Sequence, residues 1–230
     1  MKQVVTDAIV LSRTDYQEAD RILTLLTPDH GKLSVIAKGV RRAKSKLAGG
    51  IELLAVNEIT YIDGRSDIKT LRSARMRQYY DKIVTQLPRT MLAYDLLKRI
   101  HRVTEDDTEP EYYHILQASL AGLNNLGCDP DRTEAWSIVH LLMISGHTPN
   151  LRTDAAGEPL VAGQRYNYDF DASLFVPHDA GAFGADHLKL LRLAYASQSP
   201  QALCQVAGAD VALADIAQHL RQVLQYTLRV

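Results

Sequence analysis

The chain contains 230 residues, of which 46% are hydrophobic and 23% are charged. This composition is typical of one large folded domain or two small ones, and it excludes wholesale disorder. The best apolar run, Ile51 to Val56, contains Glu52 and is far shorter than the roughly 18 residues that a transmembrane helix needs. Asp7 interrupts the apolar stretch near the start, so we expect no secretory signal and a soluble, cytoplasmic protein.

Charge is divided unevenly along the chain, although the net charge is only −1. Residues 1–80 hold 14 Lys and Arg against 9 Asp and Glu, a net charge of +5. The remaining residues hold 12 basic and 18 acidic groups, a net charge of −6. This asymmetry predicts that a polyanionic partner, if there is one, binds the basic front part of the chain.

Short apolar runs separated by turn residues predict five β-strands before residue 80. Turn signals stand at residues 27–31, between the second and third runs, and at residues 63–66, between the fourth and fifth. Five closely spaced strands favour a small closed barrel, and the OB-fold, which often binds oligonucleotides, has the right size. The runs are Val4–Leu11, Ile22–Leu26, Leu33–Ala37, Ile51–Ile62 and Ile68–Ala74.

After Tyr80 the apolar residues recur at helical spacing. We expect helices over residues 91–103, 112–123, 130–145, 185–196 and 211–228. Pro and Gly residues, followed by alternating aromatic residues from Tyr166 to Phe170, predict a β-hairpin insert within about residues 148–180. The predicted fold is therefore α+β with two domains: an OB-fold barrel over 1–80 and a helical domain over 81–230 that carries the insert.

Catalytic motifs are mostly missing. Gly31-Lys32 lacks both the earlier glycine and the following Ser or Thr of a phosphate-binding loop, and His140 and His147 have no carboxylate or thiol at a supporting spacing. We therefore predict a protein that is not an enzyme and needs no cofactor. Cys128 and Cys204 are too few for a disulfide framework or a four-thiolate zinc site, and we interpret them as buried cytosolic thiols.

The densest chemical feature is a group of five cations within nine residues, between the third and fourth predicted strands. A solvated loop is the plain interpretation, and a flexible arm that neutralises phosphates is the functional one. Further cations in the fifth strand favour nucleic acid, because both segments of a small barrel can border one groove. The loop cations are Lys38, Arg41, Arg42, Lys44 and Lys46, and those of the strand are Lys69, Arg72, Arg75 and Arg77.

Five short motifs occur in order within residues 8–45. They are Ala8-Ile-Val-Leu11, Tyr16-x-Glu18-x-Asp20-Arg21, Leu25-Leu26-Thr27, Gly31-Lys32 and Ala37-Lys38-Gly39-x-Arg41-Arg42-x-Lys44-Ser45. Together they resemble the RecO family of bacterial recombination mediators, and Leu71-Arg72-Ser73-Ala74 and Gly146-x-x-Pro149-x-Leu151 fit as well. The resemblance implies an N-terminal OB-fold, a helical domain and a DNA repair protein that is not an enzyme.

The same resemblance implies the partners. The protein is expected to bind single- and double-stranded DNA at the nucleoid, to anneal complementary strands, and to help RecA replace single-strand-binding protein (SSB), usually with RecR. Many members bind zinc through two cysteine pairs in the helical-domain insert. This chain has Thr153-x-x-Ala156-Gly157 at the first place and no cysteine at the second, so it resembles the metal-free members. Its aromatic residues and the packing of its prolines are expected to hold the hairpin.

The resemblance also assigns roles to individual residues. Glu18, Asp20 and Arg21 are interpreted as structural groups at the edge of the barrel. Arg132 stands where the family has a basic residue for the SSB C-terminal tail, with helix capping or a surface salt bridge as the alternative role. The DNA-contact candidates are Lys38, Arg41, Arg42, Lys44 and Lys46, with Lys32 and Arg72 as weaker ones.

Two other functions stay open at this point: a nucleic-acid-modifying enzyme with an unrecognised active site, and a scaffold whose cationic loop binds an acidic protein. Within residues 1–80, aromatic side chains are scarce, with no Phe, no Trp and four Tyr. Tyr79 and Tyr80 are expected to pack at the domain junction, which leaves Tyr16 and Tyr61 as stacking candidates. Electrostatic contacts to phosphates are therefore expected to dominate any binding of nucleic acid.

Overall fold

The computed structural model describes residues 2–106 and 108–228, which form two compact units, residues 1–124 and 125–230. The first unit contains five strands and two helices, and the second contains four helices and a two-stranded hairpin. The elements are β1 Lys2–Tyr16, β2 Asp20–Thr27, β3 Gly31–Ala37, β4 Ala55–Asp63, β5 Ile68–Tyr79, α1 Leu87–Val103, α2 Pro110–Asn124, α3 Pro130–Ile144, β6 Tyr166–Asp169, β7 Leu174–Pro177, α4 Ala185–Ala196, α5 Gln201–Cys204 and α6 Asp210–Leu228.

The five N-terminal strands close into a barrel in the order β1-β2-β3-β5-β4. Neighbouring strands pair antiparallel except β3 and β5, which run parallel over three residue pairs. This is the OB-fold topology that the sequence predicts, and the prediction is confirmed. Inward-pointing aliphatic side chains fill the interior because alternate strand residues face the same side. They include Val10, Leu23, Leu25, Val35, Ile59 and Leu71.

One predicted strand begins later than expected. The apolar run starts at Ile51, but β4 starts at Ala55, and residues 48–50 form a short 3-10 turn. Ile51 is 2% exposed and packs into the barrel core together with Leu47 and Leu53. The run is apolar because it closes one end of the barrel, and not because it belongs to the sheet.

The first compact unit extends beyond the predicted boundary at residue 80. That position marks the end of the barrel strands, but α1 contacts β1 and α2 contacts β2. Tyr80 and Tyr113 are both buried, at 1% and 3% exposed. The helices therefore bury apolar side chains in the same unit as the barrel, which ends at Asn124.

The second unit is built on α3, whose side chains are buried from Arg132 to Val139 and again at Leu141 and Leu142. Asp129 caps the helix by accepting a hydrogen bond from the Asp131 backbone N–H at 2.8 Å. α4, α5 and α6 all contact α3, and β6 pairs antiparallel with β7 as the predicted hairpin. The helical region and its β-hairpin insert confirm the rest of the predicted fold class.

Aromatic side chains pack the hairpin against α6. Tyr168 lies edge-on to Phe175, with ring centroids 5.2 Å apart, and edge-on to His219, with centroids 4.6 Å apart. Phe183 contacts the opposite side of the cluster, 4.6 Å from the His219 ring. His219 is buried, and burial lowers its pKa to about 4. The hairpin is thus held by aromatic packing, as the sequence suggested, with a neutral histidine at the centre.

The two cysteines do not match the expectation of separate thiols. Cys128 and Cys204 are 76 positions apart in the chain, yet their Cα atoms are 5.0 Å apart and their sulfurs are joined as a disulfide. The bridge links the residue preceding the N-cap of α3 to the end of α5. The long separation hides this pairing from the sequence, because only the packing of α5 on α3 brings the two residues together.

Candidate nucleic-acid interface

The residues that carry the five clustered cations, 38–46, form a loop (the cationic loop) that is anchored to the barrel at both ends. Val40, 4% exposed, enters the barrel core at the start, and Leu47 packs against that core at the end. Gly39 adopts a φ of +65°, a conformation that suits glycine, where the chain leaves β3. The loop contains internal turns, in one of which the Ser45 N–H donates to the Arg42 carbonyl at 3.0 Å.

The turn between β1 and β2 holds the cationic loop from one side. The Gly39 N–H donates to Asp20 Oδ1 at 2.7 Å, and the Arg41 N–H donates to the Ala19 carbonyl at 2.9 Å. These bonds give Asp20 the structural role that was expected for it. A shallow groove lies between the two segments. It is lined by Gln17, Glu18, Ala19, Asp20, Lys38, Gly39 and Arg42.

Four of the five cations of the loop have no acidic partner. Among residues 2–106 and 108–228, no carboxylate lies within ion-pair distance of these four side chains, and all four residues are exposed. Arg41 differs, because its Nη2 lies 3.5 Å from Asp15 Oδ2. The loop therefore presents uncompensated positive charge, which attracts a polyanion. The four are Lys38, Arg42, Lys44 and Lys46.

Strand β5 borders the cationic loop on its other side. A Cβ built on Gly50 would lie 2.3 Å from the backbone carbonyl of Ala74, so the chain leaving the loop lies directly on β5. At the start of the loop, β3 pairs with β5 through Ile36 and Thr70, two residues before Lys38 and Arg72 respectively. The residues that flank the loop on both sides therefore contact β5, near its start at Thr70 and in its middle at Ala74.

The cations of β5 fall into two groups. Lys69 pairs with Asp63 at 3.0 Å, and Arg77 pairs with Glu58 and lies near Asp7. Arg72 and Arg75 are exposed, with no carboxylate in ion-pair distance in the described ranges. Arg72 occupies a β-bulge, because the register passes from Thr60–Ser73 to Tyr61–Leu71 and leaves Arg72 unpaired. A bulge redirects a side chain, and here it frees an arginine beside the loop.

Lys32, a weaker DNA-contact candidate, lies at the other end of β3, and its side chain binds backbone carbonyls of the first unit. Its Nζ donates to the carbonyl of His101 at 3.2 Å and to that of Thr104. These are carbonyls at the C-terminal end of α1, where a cation is favoured. Burial, together with the Lys32 charge, lowers the pKa of His101. The contacts favour a structural role for Lys32.

Arg132, the candidate for a partner's tail, is 8% exposed. Its Nη1 donates to the Leu203 carbonyl at 2.7 Å and also to the Val206 carbonyl, and its Nη2 lies 2.7 Å from Asp210 Oδ1. The guanidinium thus ties α3 to the chain that connects α5 and α6. These contacts favour the structural alternative that the sequence left open.

The two stacking candidates differ in exposure. Tyr61 is 4% exposed and belongs to the barrel core, so its ring is not available to a base. Tyr16 is 42% exposed at the end of β1, immediately before the turn that holds the cationic loop. Alternation along β4 marks Tyr61 as an inward residue, whereas Tyr16 lies in a run of three exposed residues that ends β1.

The described residues contain no group of three or more His, Cys, Asp or Glu placed to hold a metal ion. His140 stacks on Trp136 with ring centroids 4.0 Å apart, and its Nδ1 lies 2.9 Å from the Trp136 carbonyl oxygen. Burial lowers the pKa of His140, a half-buried residue whose ring and Nδ1 are both occupied by Trp136. In the same described ranges no helix has the length and hydropathy to cross a bilayer.

Comparisons with known proteins give one consistent family. Residues 1–80 match the family described as "Recombination protein O N terminal". A DNA repair protein RecO from Dehalococcoides mccartyi (strain CBDB1) is 35% identical over 148 residues, which are 64% of this chain and 58% of that protein. The one from Bifidobacterium adolescentis is 29% identical over 169 residues, covering 72% of this chain and 69% of that protein. The match thus spans less than two thirds of the length of the Dehalococcoides protein.

Proposed function

Because the chain belongs to the RecO family, we propose that it acts in DNA repair and recombination as a protein that binds DNA through its cationic loop. The single observation that carries this proposal is the set of four exposed loop cations without a carboxylate partner. Arg41 belongs to the same surface, and Arg72 and Arg75 extend it along β5. Charge left uncompensated on an anchored loop is suited to a phosphate backbone.

The chemistry of this surface indicates how DNA would be held. Lys and Arg side chains contact phosphates without reading the bases, so affinity is expected to depend little on sequence and strongly on salt. Bases that the protein leaves free are able to pair with a second strand. We therefore propose that the protein binds single and double strands and anneals complementary ones.

The family resemblance supports a wider role. We propose that the protein helps RecA to replace SSB on single-stranded DNA, with RecR as a partner. Since the contacts of Arg132 favour a structural role, the proposed contact with the SSB tail does not depend on that residue. Nothing in the proposed mechanism requires a bond to be made or broken, so the protein acts by binding and not as an enzyme.

The test is binding of fluorescent oligonucleotides to the purified protein at two salt concentrations, with a strand-annealing assay alongside. We expect binding without metal or nucleotide, weakening steeply as salt rises. Lys44→Glu, a single charge reversal in the loop, should reduce both binding and annealing. Arg65→Glu is the matched control, because Arg65 is an exposed cation of the same barrel in the β4–β5 loop.

The outcomes separate the alternatives. Equal losses in the loop variant and in Arg65→Glu would indicate that only overall charge matters and would contradict the proposed site. No DNA binding at low salt would contradict the function itself and favour a scaffold that binds an acidic protein. Chemical change of the oligonucleotide during incubation would favour the modifying-enzyme alternative.

A further inference from the structure

We infer that Tyr16 stacks on a base of the bound strand and thereby makes the cationic loop selective for single-stranded over double-stranded DNA. The inference rests on the proposed function and adds to it a residue and a preference. It adds a stacking contact to the electrostatic contacts that are expected to dominate binding, because the chain neighbours of the exposed Tyr16 contact the loop.

The position of Tyr16 is fixed by its two chain neighbours. Asp15 Oδ2 lies 3.5 Å from Arg41 Nη2, and the Gln17 carbonyl accepts a hydrogen bond from Arg41 Nη1 at 3.5 Å. Tyr16 itself pairs with Asp20, whose carboxylate accepts the Gly39 N–H. Tyr16 therefore lies between two residues that both contact Arg41 of the loop.

The ring of Tyr16 is available. It is 42% exposed, and within the described residues its side chain makes no hydrogen bond and no ring contact. An exposed aromatic ring without a partner leaves apolar area in water, and a nucleic acid base is a flat π-surface that covers it.

The turn that follows Tyr16 is held in an uncommon backbone conformation. Gln17 has a φ of +51°, in the left-handed region that residues other than glycine rarely adopt. Such a conformation persists where surrounding contacts hold it, here the bonds from Arg41 to Gln17 and Ala19. The turn therefore presents Tyr16 in one fixed relation to the cationic loop.

The other tyrosines of the first unit do not combine these properties. Tyr61, Tyr80, Tyr112 and Tyr113 are buried. Tyr94 is 38% exposed, but it lies within α1, and its neighbour Asp95 pairs with Lys98 and not with a loop cation. Tyr79 is 41% exposed, but it ends β5, five residues beyond Ala74, where Gly50 contacts the strand, or about 16 Å at the usual rise per residue. Tyr16 alone in this set has both an exposed ring and neighbours that contact a loop cation.

Stacking of this kind distinguishes single strands from duplexes. The bases of a duplex are already stacked on one another and are unavailable to a side chain, whereas those of a single strand are free. Phosphate contacts are common to both forms. A ring beside the cations therefore adds affinity only for single strands, and that addition does not depend on salt because no counterion is released.

The experiment compares Tyr16→Leu with Tyr79→Leu, two exposed tyrosines of equal exposure, by fluorescence anisotropy with a thymine oligonucleotide and a duplex of the same length. Tyr16→Leu should weaken single-strand binding about tenfold, leave duplex binding within about twofold, and leave the slope of log K against log salt unchanged. Tyr79→Leu should change neither affinity by more than about twofold. Tyr16→Phe should retain single-strand affinity, because it keeps the ring.

A second readout reports stacking directly. Fluorescence of 2-aminopurine placed within the oligonucleotide should be quenched by the unchanged protein and by Tyr16→Phe, and not by Tyr16→Leu. Equal effects of Tyr16→Leu and Tyr79→Leu, or equal loss of single-strand and duplex binding, would overturn the inference while leaving the proposed function intact. If the unchanged protein bound no DNA, the proposed function and this inference would both be overturned.

Discussion

Asp15 contacts the structural Arg21 and the loop cation Arg41 through its two carboxylate oxygens. Oδ1 accepts a hydrogen bond from Arg21 Nε at 2.7 Å, and Oδ2 lies 3.5 Å from Arg41 Nη2. The hydrogen bond from Arg21, with the nearby charge of Arg41, lowers the pKa of Asp15 below its ordinary value. An acid that stays ionised thus competes with phosphate for a cation of the loop.

Removing this competition should strengthen DNA binding. We expect Asp15→Asn to raise affinity about two- to fivefold at low salt, the range that an exposed ion pair allows, because Arg41 becomes available. The measurement is anisotropy with a fluorescent oligonucleotide. Glu18→Gln removes the same charge from an exposed residue of the same turn without releasing Arg41, and should have a smaller effect. Equal gains from both changes would contradict a specific role for Asp15.

The salt dependence of binding should report the number of phosphates contacted. If four or five loop cations contact phosphates, the slope of log K against log salt on single strands is expected to be about −3, at roughly 0.7 per contact. Reversing Arg41 and Arg42 to Glu should flatten the slope and abolish annealing. The check is a salt titration of both proteins. A nearly salt-independent affinity of the unchanged protein would contradict the electrostatic mechanism.

Gly50 should be required by the close approach of the loop exit to β5. The Cβ of Gly50→Ala would lie 2.3 Å from backbone atoms of Ala74, so the variant should lose about 1–3 kcal/mol of unfolding free energy. Gly49→Ala is the neighbouring control, since its Cβ would meet nothing within 4 Å. Denaturant unfolding of the two variants measures the difference. Equal unfolding free energies of Gly50→Ala and Gly49→Ala would show that the backbone of β5 shifts to make room for the added Cβ.

Stability of the second unit should fall at acid pH through His219. Its pKa is lowered to about 4, so the unfolded chain, with a histidine pKa near 6.5, binds the proton more readily than the folded one. The contribution of neutral His219 to the unfolding free energy is therefore fully present above about pH 6.5. It is lost as the pH drops toward 4, by up to about 3 kcal/mol. His219→Phe should remove this dependence in denaturant unfolding at several pH values. His147→Gln, at an exposed residue, is the control and should retain it.

Arg132 should matter for folding more than for recognition. Arg132→Met removes the donors to the Leu203 and Val206 carbonyls and should cost about 1–3 kcal/mol of unfolding free energy. Lys189→Met, at an exposed cation of the same unit, should cost little. Thermal unfolding compares the two. If Arg132→Met unfolded at the same temperature as the unchanged protein but no longer bound an SSB tail peptide, the result would support recognition of the tail by Arg132.

Patterns of apolar spacing were sufficient for the architecture. Turn residues and short apolar runs located all five barrel strands, because strand period and turn chemistry are local properties. The same reasoning placed the start of β4 too early at Ile51, since a residue that closes the end of a barrel is as apolar as one inside a strand. The disulfide between Cys128 and Cys204 depends on contacts across 76 positions and has no local signal.

Identifying a cation in the sequence does not reveal which group it contacts. Lys38 and Lys32 look alike as basic residues near family motifs, yet one is exposed and the other donates to the end of α1. Arg132 likewise resembles a surface cation, but the packing of α5 and α6 buries it. The distribution of basic residues along the sequence places the net positive charge in the barrel strands. Only tertiary contacts distinguish the cations that are exposed from those that bind other groups of the protein.

The anchoring of the cationic loop at Val40 and Leu47 has a consequence for the thermodynamics of binding. A disordered basic arm loses conformational entropy when it settles on a phosphate backbone, and that loss reduces affinity. Here the turns are already formed in the structure, so we expect the loop to need little further ordering when it binds the proposed ligand. Its exposed cations form a pattern that takes no account of base sequence. We expect such a surface to exchange one phosphate for the next at small cost, which would permit diffusion along a strand until a complementary strand is encountered.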